Sequence, residues 1–231
     1  GLVGSEMCIR DSLGAYARVF GTVTPTYLFG PCATGVYEIP AAYTNVKAVY
    51  TNTAPVDAYR GAGRPEATYT IERLVEKASM ELGIDKTELR IKNFPTAFPF
   101  KQTLVHTVDS GDYVAGMEKA KQMADYKGFE ARRKESEAKG KLRGIGVTSY
   151  FEACGIAPSA AVMSLGCGVG LWESAEVRFN PTGQVTVYTG SHSHGQSHQT
   201  TFAQIAADEL GVPIENIAVS YTHLRAHETL R

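Results

Sequence analysis

The sequence predicts an α+β fold, with mixed sheets and helices arranged in two subdomains. Three patterns lead there. Apolar residues recur at helical spacing over Ile71, Leu74, Val75, Ala78 and Leu82, and again over Phe202, Ile205, Ala206 and Leu210. Val177, Phe179, Val185 and Val187 alternate with polar neighbours around the turn Asn180-Pro181-Thr182-Gly183, the pattern of a half-buried hairpin. Between these regions runs a densely charged stretch, residues 127–141, which reads as a solvated helix face plus linker.

From Leu13 to Tyr50 the chain is rich in Val, Tyr, Phe, Thr, Gly and Pro, and short strands and loops are expected. A strand-like run over Asn45–Asn52 leads into Asp57-Ala58-Tyr59-Arg60-Gly61-Ala62-Gly63-Arg64-Pro65-Glu66-Ala67. A helix is expected from about Pro65 to Leu82, because proline suits a first helical position and Gly83 is a natural C′ residue. Gly61 and Gly63 allow a tight bend and close approach of a ligand. Arg60, Arg64 and the helix N-terminus then make a candidate anion seat. The alternative is a plain turn carrying two solvated arginines. No P-loop pattern occurs, and Glu66 stands where a dinucleotide fingerprint needs its third glycine.

Asp85-Lys86-Thr87-Glu88 resembles a capping box opening a short helix that ends near Asn93. His106 lies in a loop, Phe94–Thr107, as a structural or solvent-facing side chain. Asp109 or Ser110 can cap a helix over about Asp112–Ala124. A strand is expected over Leu142–Glu152, followed by a glycine-rich loop that includes Gly166-Cys167-Gly168-Val169-Gly170.

The hairpin strands, Ser174–Phe179 and Gln184–Thr189, deliver the chain into a polar turn, Thr189-Gly190-Ser191-His192-Ser193-His194-Gly195-Gln196-Ser197-His198-Gln199-Thr200-Thr201. A helix to Leu210 follows, closed by Gly211, with Ser197 as its expected N-cap. Gln, Ser, His and Thr side chains beside free N–H groups suit a hydrogen-bonding, neutral-to-anionic ligand. His192, His194 and His198 also have the composition of a zinc or copper site, although no cysteine or acidic residue lies within that cluster.

Composition narrows the classes. The 231 residues are 43% hydrophobic and 20% charged, with a net charge of -1, which disfavours nucleic acid or an anionic membrane as the main partner. No apolar run approaches the roughly 20 residues of a spanning helix, and no signal peptide is expected at the start. Cys8, Cys32, Cys154 and Cys167 are widely spaced, as expected for reduced thiols in a cytoplasmic protein. Residues 1–12 and 220–231 resemble translated sequencing adapter and are set apart from the fold. His223 and His227, at i, i+4 spacing, fall in the second of these ends.

Gly14-Ala15-Tyr16, the run from Tyr50 to Ala67, and His194-Gly195-Gln196-Ser197-His198-Gln199-Thr200-Thr201-Phe202-Ala203-Gln204-Ile205 together resemble the molybdopterin-binding large subunit of the xanthine dehydrogenase/aldehyde oxidase family. The branch they resemble is the aerobic carbon-monoxide-dehydrogenase type. The resemblance covers about Leu13–Val219. It implies an incomplete molybdopterin-binding domain: a first subdomain over 13–126, the linker over 127–141 and a second subdomain over 142–219. It places Tyr59, Arg60 and Gly61 by the molybdenum, counts Ala62 and Gly63 among the cofactor-binding residues, and sets Gly195, Gln196, Ser197, His198 and Thr200 on the pterin or its dinucleotide. It implies a molybdopterin cytosine dinucleotide and an iron–sulfur small subunit carrying [2Fe–2S] clusters. An FAD-binding medium subunit and a dimer of heterotrimers are implied as well.

Activity by resemblance is hydroxylation of a small molecule, an aldehyde or N-heterocycle, with water as oxygen source. The metal is held by the cofactor rather than by histidine. The general-base glutamate of the family belongs beyond the C-terminal end of this chain, so no catalytic residue is expected within it and the chain alone is expected to be inactive. Gly61 stands where carbon monoxide dehydrogenases carry a copper-binding cysteine, so no carbon monoxide oxidation is expected. Ala62 and Ser193 lack the aromatic and the carboxylate with which xanthine-type members hold purines. Two rival readings remain: a non-catalytic assembly module, and a small zinc enzyme built on His192, His194 and His198.

Overall fold

The computed structural model describes residues 12–152, 160, 163 and 173–221. Cys8, Cys154, Cys167, the Gly166–Gly170 loop and the His223/His227 pair lie outside the described residues. The chain divides into two compact units after Glu152.

In the first unit, helix α1 (Val19–Val23) leads through a π turn (Thr24–Leu28) into a 3-10 turn (Gly30–Cys32), where short strands were expected. The segments 45–52 and 142–152 carry no strand either. Val, Tyr and Thr fit a pleated sheet only where a neighbour supplies the ladder, and among the described residues no strand pairs with these segments. The small sheet here is β1 (Phe100–Lys101) antiparallel to β2 (Thr107–Val108).

Helix α2 spans Arg64–Leu82. Pro65 lies in its first turn, and Gly83, at φ 64°, ends it in the left-handed conformation with its N–H donated to the Ser79 carbonyl. Ala67, Thr70, Ile71, Glu72, Val75 and Ser79 form the buried face. Leu82, expected in that stripe, is exposed because it lies beyond Ser79, the last residue of the helix to be buried.

Helix α3 (Lys86–Lys92) opens as the sequence predicts, with Asp85 accepting from the backbone of Thr87 at 2.8 Å and Glu88 at 3.2 Å. Helix α4 (Tyr113–Met123) is capped by Asp112, which accepts from Ala115 N at 2.9 Å, rather than by Asp109 or Ser110. Helix α5 (Phe129–Ala138) carries the charged run and exposes it, with Arg133 paired to Glu130 and Glu137.

Val36, Tyr37, Ile71, Val75, Leu89, Phe94 and Met117 make the core of this unit, with the Tyr37 and Phe94 rings stacked at 5.7 Å. Inside it lies an ion pair that no local pattern announced. Arg90 meets Glu72 at 2.7 Å, and the two residues are 1% and 6% exposed. Tyr37 donates its hydroxyl to the same carboxylate, and Arg90 also donates to the Lys86 carbonyl at 2.8 Å. Lys86 reaches the Ile145 carbonyl at 3.1 Å, and Val147 and Phe151 pack on the core. Residues 142–152 therefore belong with the first unit, and the charged helix precedes its last segment instead of marking its edge.

In the second unit, β3 (Ala175–Phe179) and β4 (Val185–Thr189) form the predicted hairpin, with Val177 opposite Val187 and Phe179 opposite Val185. Gly183, at φ 86°, donates to Asn180 O across the turn. Helix α6 (His198–Leu210) crosses over to β5 (Ile217–Ser220), which pairs in parallel with β4. β4 is central and buries Val185, Val187 and Thr189, whereas edge strand β3 leaves Val177 and Phe179 exposed rather than half-buried. On α6 the buried residue is Ala203. Ile205 and Leu210, expected in the stripe, are exposed, and Phe202 and Ala206 are half-buried. Ser220, placed by sequence in an adapter-like end, continues β5 opposite Tyr188.

Candidate functional site

Among the described residues, each unit has a polar, glycine-containing turn that feeds a helix N-terminus. In the first, Ala62 N donates to Tyr59 O at 2.7 Å and Arg64 N to Gly61 O at 2.9 Å, so two successive turns wind directly into α2. Gly61 and Gly63 both have positive φ, 81° and 83°. They are glycines for different reasons. A Cβ on Gly61 would meet nothing closer than the Pro65 side chain at 3.5 Å, so the requirement there is the backbone angle. A Cβ on Gly63 would lie 2.6 Å from Leu28 Cβ and 2.7 Å from Phe29 N. Gly63 thus lets the turn lie flat on the π segment after α1.

Tyr59 and Arg60 project from this turn and are exposed. Arg64 points the other way. Its side chain is 12% exposed, donates to Ala62 O at 3.3 Å and faces Glu152 at 3.5 Å. Beneath it lies Cys32, whose sulfur is 3.5 Å from His106 Nε2, and His106 meets the Phe151 ring edge-on at 5.7 Å. Burial pushes the Cys32 thiol up to about 11, against the Arg64 cation that pulls it down. Burial, reinforced by Arg64, holds His106 below the ordinary histidine range. Thiol and imidazole are therefore both neutral near pH 7 and form packing, not a nucleophile.

In the second unit β4 delivers the chain into the His192–His198 loop. Gly195 has φ 99°, and Ser197, at φ 59° and ψ 41°, is left-handed. Ser197 occupies the N-cap position of α6 as predicted, but its hydroxyl makes no cap hydrogen bond. The left-handed backbone takes the side chain out of the β-region geometry that capping needs. Gln196 accepts from His194 N through its oxygen, which leaves its amide nitrogen as a donor. His198 Nδ1 lies 3.3 Å from Ser191 O, and since a carbonyl only accepts, Nδ1 carries the proton. The His198 ring also stacks on Phe202 at 4.7 Å.

The histidine triad does not gather. His198 is committed to Ser191 and Phe202, and His192 stacks on Tyr221 at 6.4 Å. Among the described residues, no group of three histidine, cysteine, aspartate or glutamate side chains is placed to hold a metal ion. The zinc reading loses its geometry on that point.

Two carboxylates beside these turns were missed. Glu173 accepts from Ser191 Oγ at 2.8 Å and Ser174 N at 3.1 Å, and a Cβ on Gly190 would lie 2.9 Å from it. The hairpin register could have found it: Ala175 pairs with Thr189, so two residues back faces two residues on. Glu152, far along the chain from Arg64, left no such local signal.

Residues 2–94 and residues 119–227 each match a model of the molybdopterin cofactor-binding domain. The chain belongs to the molybdopterin cofactor-binding domain family. It is similar to the carbon monoxide dehydrogenase large chain of Hydrogenophaga pseudoflava, at 42% identity over 94% of this chain and 28% of that one. Among solved structures it resembles quinoline 2-oxidoreductase from Pseudomonas putida 86, at 35% identity and TM-score 0.78, covering 90% of this chain and 27% of that one. It also resembles reconstituted CO dehydrogenase from Oligotropha carboxidovorans, at 37% identity and TM-score 0.70, covering 87% and 26%. The chain thus spans little more than a quarter of the length of these relatives. The α+β architecture agrees with these neighbours. No helix among the described residues is long and apolar enough to cross a membrane.

Proposed function

We propose that the chain is part of the molybdenum-binding catalytic subunit of a molybdenum hydroxylase that oxidises an aldehyde or a small N-heterocycle, taking oxygen from water. The observation that carries this reading is the repeated construction: in each unit, two residues at positive φ, Gly61 and Gly63 in the first and Gly195 and Ser197 in the second, turn a donor-rich loop straight into a helix start. Such a turn presents N–H groups and the positive end of a helix dipole to an anionic ligand.

The residues fit a molybdopterin cofactor by the chemistry of their donors. Tyr59 and Arg60 are exposed on the first turn, and a Cβ on Gly61 would meet nothing closer than 3.5 Å. Gln196, Ser197, His198 and Thr200 line the second. When bound, the molybdenum centre would accept the two electrons released by the substrate carbon. The role assigned to this chain is to bind and orient: Arg60 offsets negative charge, Gly61, Ala62 and Gly63 let the backbone approach, and Gly195 with Gln196, Ser197, His198 and Thr200 hydrogen-bonds the pterin or its dinucleotide.

The cofactor form proposed is the cytosine dinucleotide. Electrons would pass to an iron–sulfur small subunit and an FAD-binding medium subunit in a dimer of heterotrimers. Gly61 supplies no thiolate for copper, so carbon monoxide is not the substrate proposed. The 231 residues alone are proposed to turn nothing over. The test is to supply the large subunit and its redox partners with aldehydes and N-heterocycles in heavy-oxygen water. Solvent oxygen in the product is expected; turnover with oxygen drawn from dioxygen, or none across both classes, contradicts the reading.

A further inference from the structure

We propose that Glu152 is a positioning residue that sets the shape of the Tyr59–Gly63 turn through Arg64, so that the turn meets the cofactor preformed; this rests on the cofactor reading above. Arg64 begins α2 and is held from both ends. Its Nη1 closes back on the Ala62 carbonyl at 3.3 Å, and its Nε faces the Glu152 carboxylate at 3.5 Å. The other Glu152 oxygen lies 3.9 Å from the place a Cβ on Gly61 would occupy. One carboxylate therefore borders both the cation and the glycine of the turn. Phe151, its neighbour, is anchored against the His106 ring and the core, which fixes where Glu152 sits.

Charge gives the contact its direction. The Arg64 cation stands over Cys32 and His106, both neutral near pH 7, and Glu152 sets a full negative charge against it from the solvent side, where its side chain is 36% exposed. A guanidinium held this way cannot swing outward, so Ala62 O stays bonded and Gly61 and Gly63 keep their positive φ.

The test uses the full-length subunit with Glu152→Gln, which removes the charge, and Glu152→Asp, which keeps it on a shorter arm. Backbone hydrogen exchange is read over residues 57–67 and over α4. For Glu152→Gln, exchange at 57–67 is expected to quicken about threefold or more while α4 is unchanged. Molybdenum retained per subunit through dialysis is expected to fall by a similar factor. Glu152→Asp is expected to restore much of both. Unchanged exchange over the turn overturns the proposal, as does loosening of α4 to the same extent, which would make the residue a general stabiliser. A parent subunit that holds no molybdenum overturns the cofactor reading instead, while exchange still decides whether Glu152 sets the turn.

Discussion

Ser197 sits where glycine would cost nothing. At φ 59° its Cβ crowds the carbonyl that follows, and its hydroxyl makes no compensating cap. Ser197→Gly is therefore expected to stabilise the protein by roughly 1 kcal/mol in denaturant unfolding; equal or lower stability would contradict the strain. His106 offers a pH test. Its folded pKa is depressed, so the folded protein binds fewer protons than the unfolded chain below the unfolded histidine value of about 6.5. This contribution is silent above that value, and stability is expected to fall as the pH drops through it. His106→Phe, read by thermal unfolding from pH 7.5 to about pH 5, should flatten that part of the profile. Residue identity was legible for both positions, but not conformation: serine before a helix suggested a cap, and only the backbone angle shows why it is not one.

Elements were readable where their determinants are local. Asp85 precedes the N–H groups it caps by two and three residues, so the sequence alone located α3. Asp85→Ala is expected to cost about 1 kcal/mol, seen as a lowered denaturant midpoint with unchanged m-value. The β3–β4 hairpin was equally plain, because Asn180–Gly183 fixes its register. The strands expected at 45–52 and 142–152 failed because their composition promised a sheet whose partners the described residues do not provide. The Tyr37–Glu72–Arg90 network was invisible for the opposite reason: its members lie on segments far apart in the chain. Removing one partner leaves a buried charge uncompensated, so Glu72→Ala or Arg90→Ala is expected to cost about 3–5 kcal/mol. A loss near zero by chemical denaturation would show that the pair is hydrated in solution.

Across the whole molecule, each unit solves the same problem with different parts. The first rests its glycine turn on a π segment and ties it with Arg64; the second hangs its loop from a buried central strand and braces it with Glu173. Both turns were legible because glycine, arginine and small polar residues cluster there in sequence. Glu152 was not, since nothing local links it to Arg64, whereas the hairpin register carried a signal for Glu173. The histidine triad misled because spacing along a chain does not fix ring direction, and here the His192 and His198 rings stack on aromatic neighbours. The central claim proposed is that each of the two turns contributes to holding molybdopterin. Its most direct test is the molybdenum and pterin-nucleotide content of the full-length subunit, compared with Arg60→Ala and Gln196→Ala. Roughly one of each per parent subunit, with both reduced together by either substitution, is the expected result; a parent without pterin, or a cofactor indifferent to one of the two turns, would contradict it.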